Sequence, residues 1–159
     1  MARLADVHPA GRGMTALLKH PRPRRDLGND PATLMPGALT LSYETESRFI
    51  LVSGNGMWSP RQLDEHLRDF ADLVDQLRRQ HIRIRVLVDL KDAAIQTPEV
   101  TRVLAHGTRD CHRDGDRVAL LVPGSLAKMQ MRRILGTRHH NYFVSESAAR
   151  LWLSASDWS

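Results

Sequence analysis

The feature that most constrains this fold is a helix with one apolar stripe, placed between two apolar strands. Ser59 is a good N-cap, Pro60 fits the first helical position, and Gln62 completes a capping box. Apolar residues then recur at spacings of four, three, four and three, which predicts one buried helix face: Leu63, Leu67, Phe70, Val74 and Leu77. The flanking segments 49–52 and 82–90 are rich in Ile, Leu and Val, as buried strands are. This order predicts neighbouring parallel strands joined by a crossover helix.

The same alternation continues along the chain. The second strand ends in Ser53-Gly54-Asn55-Gly56, which predicts a loop, and Thr97-Pro98-Glu99 opens a second helix with a cap and a proline. The predicted fold class is α/β, with a mixed, mostly parallel sheet of about five strands and about four helices in the order β-β-α-β-α-β-α-β-α. The predicted bounds are strands at 39–44, 49–52, 82–90, 118–122 and 141–144, and helices at 60–80, 98–111, 125–136 and from 146 onward.

The first 36 residues form a basic, proline-rich tail that we expect to be disordered or loosely attached, and we place one domain at residues 38–155. The tail holds five of the eight prolines and a net charge of +3, whereas the rest of the chain carries +2. A solvated tail, a polybasic arm that touches membrane or nucleic acid, and a true start at Met14 or Met35 are the alternatives that stay open. Because the folded part is nearly balanced in charge, an extended nucleic-acid footprint is disfavoured.

The composition limits the cellular compartments in which we expect this protein. Cys111 is the single cysteine, so an internal disulfide is excluded. No apolar run approaches the roughly 20 residues that a membrane-spanning helix needs. We therefore expect a cytoplasmic protein.

Three local patterns and their order resemble the STAS superfamily, and in particular its SpoIIAA-like branch. The second strand runs through a glycine-containing segment into the amphipathic helix, in FILVSGNGMWSPRQLDEHLRDFADLVDQL. The central strand ends in Asp-Leu, in IRIRVLVDLKDAAIQTPEV, and a short strand with Phe precedes a helix with Trp-Leu, in NYFVSESAARLWL. The resemblance covers about residues 38–155.

The resemblance implies a domain without intrinsic catalysis. Members of the superfamily act as anti-sigma-factor antagonists, as regulatory domains of transporters and sensors, or as binders of nucleotides and lipid-like ligands. Antagonists of the first kind carry Asp-Ser-Ser/Thr-Gly at the start of the second helix, where a kinase phosphorylates the Ser. Here that place reads Ile95-Gln96-Thr97-Pro98-Glu99, and Thr97 is its one hydroxyl. The departure favours an N-cap over a phosphorylation site at Thr97.

Four residues are candidates for a ligand or partner rim: Asp89, Thr97, Ser125 and Trp58. Ligands of open α/β sheets bind at the carboxyl ends of the strands, where these residues are predicted to lie. Each has a structural alternative. Asp89 would cap a loop or pair with Lys91 or a nearby Arg, and the same alternative applies to Ser125. Thr97 would be a plain helix N-cap, and Trp58 would pack over the end of the sheet.

The densest basic cluster of the folded part consists of Arg132, Arg133, Arg138, His139 and His140. It is a candidate for contact with lipid or nucleic-acid phosphates, and a solvated helix face is the favoured alternative. The eight histidines and Cys111 show no metal-ligand spacing and no arrangement of nucleophile and base. We therefore predict no catalytic residue, no metal and no cofactor.

The resulting hypothesis is a STAS-like regulatory or binding module that engages a protein partner at the sheet rim. The first alternative is a domain that binds a small molecule or a lipid-like ligand, and the second is an enzyme of unrecognised type. Nucleic acid is disfavoured as a partner, whereas peripheral membrane contact and a homodimer stay open.

Overall fold

The computed structural model describes residues 36–155, so most of the predicted tail lies outside the described residues. The chain divides into two units, Met1–Pro31 and Ala32–Ser159, and the described residues all belong to the second. Within 36–155 the elements follow the predicted order: β1 (Ala38–Glu44), β2 (Phe49–Asn55), α1 (Pro60–Arg79), β3 (Arg85–Asp89), α2 (Pro98–Arg109), β4 (Arg117–Leu121), α3 (Ser125–Leu135), β5 (His140–Phe143) and α4 (Glu146–Ser154).

The strands form one sheet in the order β1-β2-β3-β4-β5. β1 is antiparallel to β2, and the other neighbours are parallel. The predicted fold class, a mixed and mostly parallel sheet with four helices, is therefore confirmed. Since β2 to β5 run the same way, their carboxyl ends meet at one edge, which we call the rim.

The helices divide unequally between the two faces of the sheet. Right-handed crossovers between strands in sequential order carry the connecting helices to the same face, and α1, α2 and α3 lie together there. Ile50, Val86 and Leu120 point to that face and pack with Phe70 and Val74 of α1. On the opposite face, α4 buries the side chains of Ala149 and Leu153 against those of Phe49, Leu87, Ala119 and Leu121.

The helix starts form as the caps predict, except at the capping box. Ser59 Oγ accepts a hydrogen bond from the Gln62 N–H at 3.1 Å. The Gln62 side chain does not return to Ser59; its Nε2 donates to the carbonyl of Gly37 at 2.7 Å. The reciprocal half of the predicted box is therefore wrong, because Gln62 instead ties α1 to the segment that leads into β1.

The loop predicted at residues 53–56 is also wrong for its first three residues. Ser53, Gly54 and Asn55 continue β2 and pair with β1. Gly56 alone in this segment has a positive φ, of 61°. Glycine is needed at 54 for a different reason: a Cβ there would lie 2.4 Å from the indole ring of Trp58.

The third strand is shorter than predicted, since it begins at Arg85 and not at Ile82. The Ile82 N–H donates to the Leu77 carbonyl at 3.0 Å, so this residue closes the end of α1. His81 before it takes a positive φ of 58°, which turns the chain back toward the sheet. The alternating Ile and Arg residues at 82–85 therefore divide between the end of α1 and the start of β3.

Candidate binding site

The loop between β3 and α2 is held firmly at the rim by Gln96. The Gln96 Oε1 accepts a hydrogen bond from the backbone N–H of Trp58 at 3.0 Å. Its Nε2 donates to the carbonyls of Gly56, at 2.9 Å, and Ala94, at 2.7 Å. Two backbone bonds join the same loops, from Gly56 N–H to the Asp92 carbonyl and from Ala94 N–H to the Gly56 carbonyl. These bonds tie the loop to the segment 56–58.

Trp58 packs over the end of the sheet and is only 5% exposed. Its indole Nε1–H donates to the Asn55 carbonyl at 2.9 Å, which satisfies the polar atom of a buried ring. Leu63 and Val100 pack with it. Trp58 is thus part of the support of the rim, with its ring turned inward.

A groove opens beside this loop, between α2 and α3. Its volume is about 440 Å³. Most of its walls are apolar, and Gln96, Gln130 and Arg133 are among its polar members. We call it the rim groove, and its lining residues are Trp58, Leu90, Ala93, Ala94, Ile95, Gln96, Val100, Thr101, Leu104, Val122, Pro123, Ala127, Gln130, Met131, Arg133 and Ile134.

Ile95 lines the rim groove while its side chain is 87% exposed. The backbone at this point is fixed by the neighbouring Gln96, so the side chain is presented by an ordered loop. Exposing an isoleucine forgoes the stabilisation of roughly 1.5–3 kcal/mol that burial would provide. The fold itself does not bury this side chain.

The structure separates the four predicted rim residues. Asp89 accepts a bond from the Lys91 N–H at 3.0 Å, and its carboxylate lies 3.4 Å from the Lys91 ammonium. It lines a different groove, on the α4 face, with Thr40 and Arg150 among its neighbours. Within residues 36–155, the rim groove is lined by Trp58 but not by Asp89, Thr97 or Ser125.

Thr97 and Ser125 both lie at helix starts. Thr97 is the N-cap of α2, and its Oγ1 accepts from the Val100 N–H at 3.3 Å. Ser125 is the first residue of α3, whose N-cap is Gly124, and no side chain caps that helix. The Thr97 hydroxyl thus takes the structural role that the sequence favoured for it.

The members of the predicted basic cluster lie in different environments. His140 is only 9% exposed, so it contributes little to an exposed basic surface. Burial, reinforced by the neighbouring His139, lowers the pKa of His140 to about 4, and the ring is neutral at pH 7. Arg138 pairs with Asp114 at 3.0 Å, and Arg133 lines the rim groove. Arg132 lines a further depression together with His140, Tyr142 and Trp152.

His140 belongs instead to a group of three imidazole rings. The ring of His112 lies 5.2 Å from that of His140 and 5.9 Å from that of His139, centroid to centroid. Burial is the main cause that lowers the pKa of His112 to about 3, and His140, His139 and Arg78 add to it. His112 and His140 are 28 positions apart in the sequence, so this contact depends on the pairing of β4 with β5.

Cys111 is not set up as a nucleophile. Its Sγ donates to the Gly107 carbonyl at 2.9 Å, and burial raises the pKa of the thiol. It follows α2, which ends at Arg109, two residues earlier than predicted. A protonated thiol in this setting acts as a small, partly buried side chain.

Two further observations concern the described part of the chain. Among residues 36–155, no group of three or more His, Cys, Asp or Glu side chains could hold a metal ion. No helix in the same range combines the length and the apolar character that crossing a membrane requires.

Sequence reasoning missed Ile95, Gln96 and His112 as residues of interest. Ile95 and Gln96 were visible as the departure from the antagonist motif, but only the structure shows what Gln96 binds. Ile95 is the one large apolar residue in the segment 91–97, and this pattern could have singled it out.

Comparison with known proteins supports the fold. No protein-family model matches the chain, and no curated protein matches it. Among solved structures, it is similar to an uncharacterised protein of the DUF3478 family with a SpoIIAA-like fold, from Shewanella loihica PV-4. The two are 14% identical with a TM-score of 0.56, and the match covers 74% of this chain and 94% of that chain. The predicted resemblance is thus confirmed for the fold: the chain has a SpoIIAA-like fold.

Proposed function

We propose that this chain is a non-enzymatic, regulatory binding module that receives an apolar segment of a protein partner in the rim groove. The observation that carries the proposal is the exposed Ile95, presented at the groove by a loop that Gln96 fixes. An ordered apolar side chain beside an apolar groove is the kind of central anchor that dominates binding energy in protein interfaces.

The fixed loop favours binding because little conformational freedom remains to be lost. Gln96 makes three side-chain hydrogen bonds, to Trp58, Gly56 and Ala94. A surface that already holds its bound conformation loses less entropy when a partner binds. The rim groove is thus suited to an incoming segment that adapts to it.

The groove also indicates the chemistry of the segment. Its volume of about 440 Å³ lies in the range of roughly 300–1,000 Å³ that is typical of ligand pockets, so it can receive a few side chains. Arg133 is its charged lining residue among the described ones. We therefore expect apolar side chains flanked by a carboxylate, which would pair with the guanidinium.

The same lining supports the non-enzymatic part of the proposal. General acid–base work is usually done by His, Asp, Glu, Lys, Cys or Tyr. Within residues 36–155, none of these residue types lines the rim groove. The proposal also places the module in the cytoplasm, where the free thiol of Cys111 would stay reduced.

The proposal is tested by cross-linking in the cells that produce the protein. A photoreactive phenylalanine derivative replaces Ile95 in one variant and Leu151 in a matched control. Leu151 is also a large exposed side chain, 73% exposed, but it lies on α4 at the other face of the sheet. We expect a discrete protein adduct from position 95 and its absence from position 151. Adducts with lipid, or with a second copy of the chain, would favour membrane contact or a homodimer and contradict the proposal.

The cross-linked partner is then purified and titrated by calorimetry. Ile95→Asp should weaken its binding by at least about tenfold, because a charge replaces an apolar anchor, whereas Leu151→Asp should leave the dissociation constant unchanged. Equal effects of the two substitutions would refute a specific role for the rim groove.

A further inference from the structure

A polar depression lies beside α3 and β5, the last strand of the sheet. Its volume is about 300 Å³, and we call it the edge pocket. Its lining residues are Lys128, Arg132, Thr137, His140, Asn141, Tyr142 and Trp152. Among the described residues, none lines both the edge pocket and the rim groove. The edge pocket is therefore a second candidate site, and it does not depend on the proposed function.

The edge pocket contains two cations that no acidic side chain neutralises. Lys128 and Arg132 lie four positions apart on α3, so their side chains leave the same side of the helix. Among residues 36–155, neither side chain makes a hydrogen bond or an ion pair, and no Asp or Glu lines the pocket. Two like charges at this spacing repel each other and weaken the helix.

Other helices of the domain use the same spacing to join opposite charges. Arg61 pairs with Glu65 on α1 at 2.8 Å, and Arg150 pairs with Glu146 on α4, also at 2.8 Å. Helix α3 differs, since its sequence contains three basic residues and no acidic one. A bound anion would remove the repulsion that remains between the two cations of the edge pocket.

Two neutral side chains add hydrogen-bond donors to the same pocket. The Thr137 hydroxyl makes no hydrogen bond among the described residues. The side-chain oxygen of Asn141 accepts from the Tyr142 N–H at 2.9 Å, which leaves the NH₂ group of the amide free to donate. The Tyr142 O–H is already used, because it donates to the Gly136 carbonyl at 2.6 Å. Charged and neutral donors thus line one depression, without a carboxylate among the described residues.

From this arrangement we infer that the edge pocket binds a phosphate monoester. Lys128 and Arg132 balance its charge, which is about −1.5 to −2 at pH 7. Thr137 and Asn141 donate to its oxygens, of which three are strong acceptors. A carboxylate or a phosphodiester carries only a single negative charge, so it would leave part of the charge of the two cations unbalanced.

The rest of the lining suits the carbon skeleton that carries the phosphate. Tyr142 is buried, and the ring of Trp152 is partly buried against the α4 core. His140 adds no charge at pH 7, because burial lowers its pKa to about 4. A soluble ester and a lipid headgroup present the same phosphate group to this pocket, and the experiment separates these two sources.

The test is a calorimetric titration of the full-length protein with glycerol 3-phosphate at pH 7. Glycerophosphocholine is the matched control probe, because it carries the same glycerol and phosphate as a diester. We expect the monoester to bind at least about tenfold more tightly than the diester. Saturable binding of glycerol 3-phosphate would identify a soluble ligand.

A second arm of the test uses phosphatidylcholine vesicles that contain phosphatidic acid, whose headgroup is the same monoester. Vesicles with phosphatidylserine at equal surface charge control for the general attraction between a basic protein and an anionic membrane. Binding that is specific for phosphatidic acid, without binding of the soluble ester, would identify a lipid as the source of the phosphate.

Variants connect the binding to the edge pocket. Arg132→Gln should weaken binding of the monoester by at least about tenfold, since a charge-assisted hydrogen bond is lost. Thr137→Val should weaken it by roughly two- to tenfold, the usual effect of losing a neutral hydrogen bond. Arg109→Gln is the matched control and should leave the dissociation constant unchanged, because Arg109 is an exposed arginine of α2 outside the pocket.

The unsubstituted protein provides a further measurement that needs no variant to fold. Binding of the monoester should shift the amide NMR signals of residues 137–142, and shifts confined to residues 93–96 of the rim groove would overturn the inference. Equal binding of monoester and diester, or equal effects of Arg132→Gln and Arg109→Gln, would also overturn it. The same holds if glycerol 3-phosphate does not bind and the two kinds of anionic vesicle bind equally or not at all.

Discussion

The two buried histidines predict that the domain loses stability in mild acid. The pKa of His112 is about 3 and that of His140 about 4 in the folded protein, against an ordinary value of 6.5. Because folding lowers both values, the unfolded chain binds more protons than the folded chain between about pH 6.5 and about pH 3. Stability is therefore fully present above about pH 6.5 and falls as the pH decreases, until the folded rings also protonate.

The size of the stability loss follows from how far the pH lies below 6.5, the ordinary pKa of a histidine. Each unit of pH below 6.5 costs about 1.4 kcal/mol for a group that is protonated only when unfolded. Between pH 7 and pH 4.5 we expect about 2.5 kcal/mol from His112 and about 2 kcal/mol from His140, because the folded pKa of His140, about 4, lies closer to pH 4.5. A loss of about 4 to 5 kcal/mol is a large part of the 5–15 kcal/mol that is typical of a domain.

Urea denaturation at pH 7 and pH 4.5 measures this loss as a change in the free energy of unfolding. His112→Phe should reduce the difference between the two pH values by about 2 kcal/mol, since one of the two contributions disappears. His106→Gln is the matched control, because His106 is an exposed histidine of α2. If His112→Phe keeps the full pH dependence, or if His106→Gln removes as much of it, the reasoning about the buried rings is wrong.

Three further predictions concern the rim. Thr97→Ala should lower the free energy of unfolding by about 1 kcal/mol, the usual cost of a lost N-cap, whereas Thr97→Ser should retain most of it. Gln96→Ala removes three side-chain hydrogen bonds, so the amides of residues 92–96 should exchange with deuterium faster while those of α1 do not change. Gly54→Ala places a Cβ 2.4 Å from the Trp58 ring and should cost about 1–3 kcal/mol, with a change in tryptophan fluorescence; an unchanged spectrum and stability would contradict this packing.

The fold was predictable because its signals are local. The apolar stripe of α1 follows from the spacing of its apolar residues. The cap at Thr97 follows from a hydrogen bond to Val100, only three positions away. Strand ends were less predictable, as Ile82 shows. The same apolar residue can begin a strand or close a helix, and here the hydrogen bond from its N–H to the Leu77 carbonyl places it at the end of α1.

The candidate site was less predictable because it depends on which face of the sheet each side chain points to. Asp89 was placed at the correct edge of the sheet, but successive residues of a strand point to opposite faces. Since Val88 packs with the α1 core and Leu87 with the α4 core, Asp89 shares the side of Leu87, away from the rim groove. The contact of His112 with His140 depends on strand pairing between distant segments, which no local pattern specifies.

The order of the strands helps to explain why the rim groove opens between α2 and α3. With strands in sequence order, α3 is the last helix on its face and covers β5, an edge strand of four residues. α1 buries four of its residues, whereas α3, within the described chain, buries none of its own. A helix with this little apolar anchoring leaves space beside α2, where the rim groove lies.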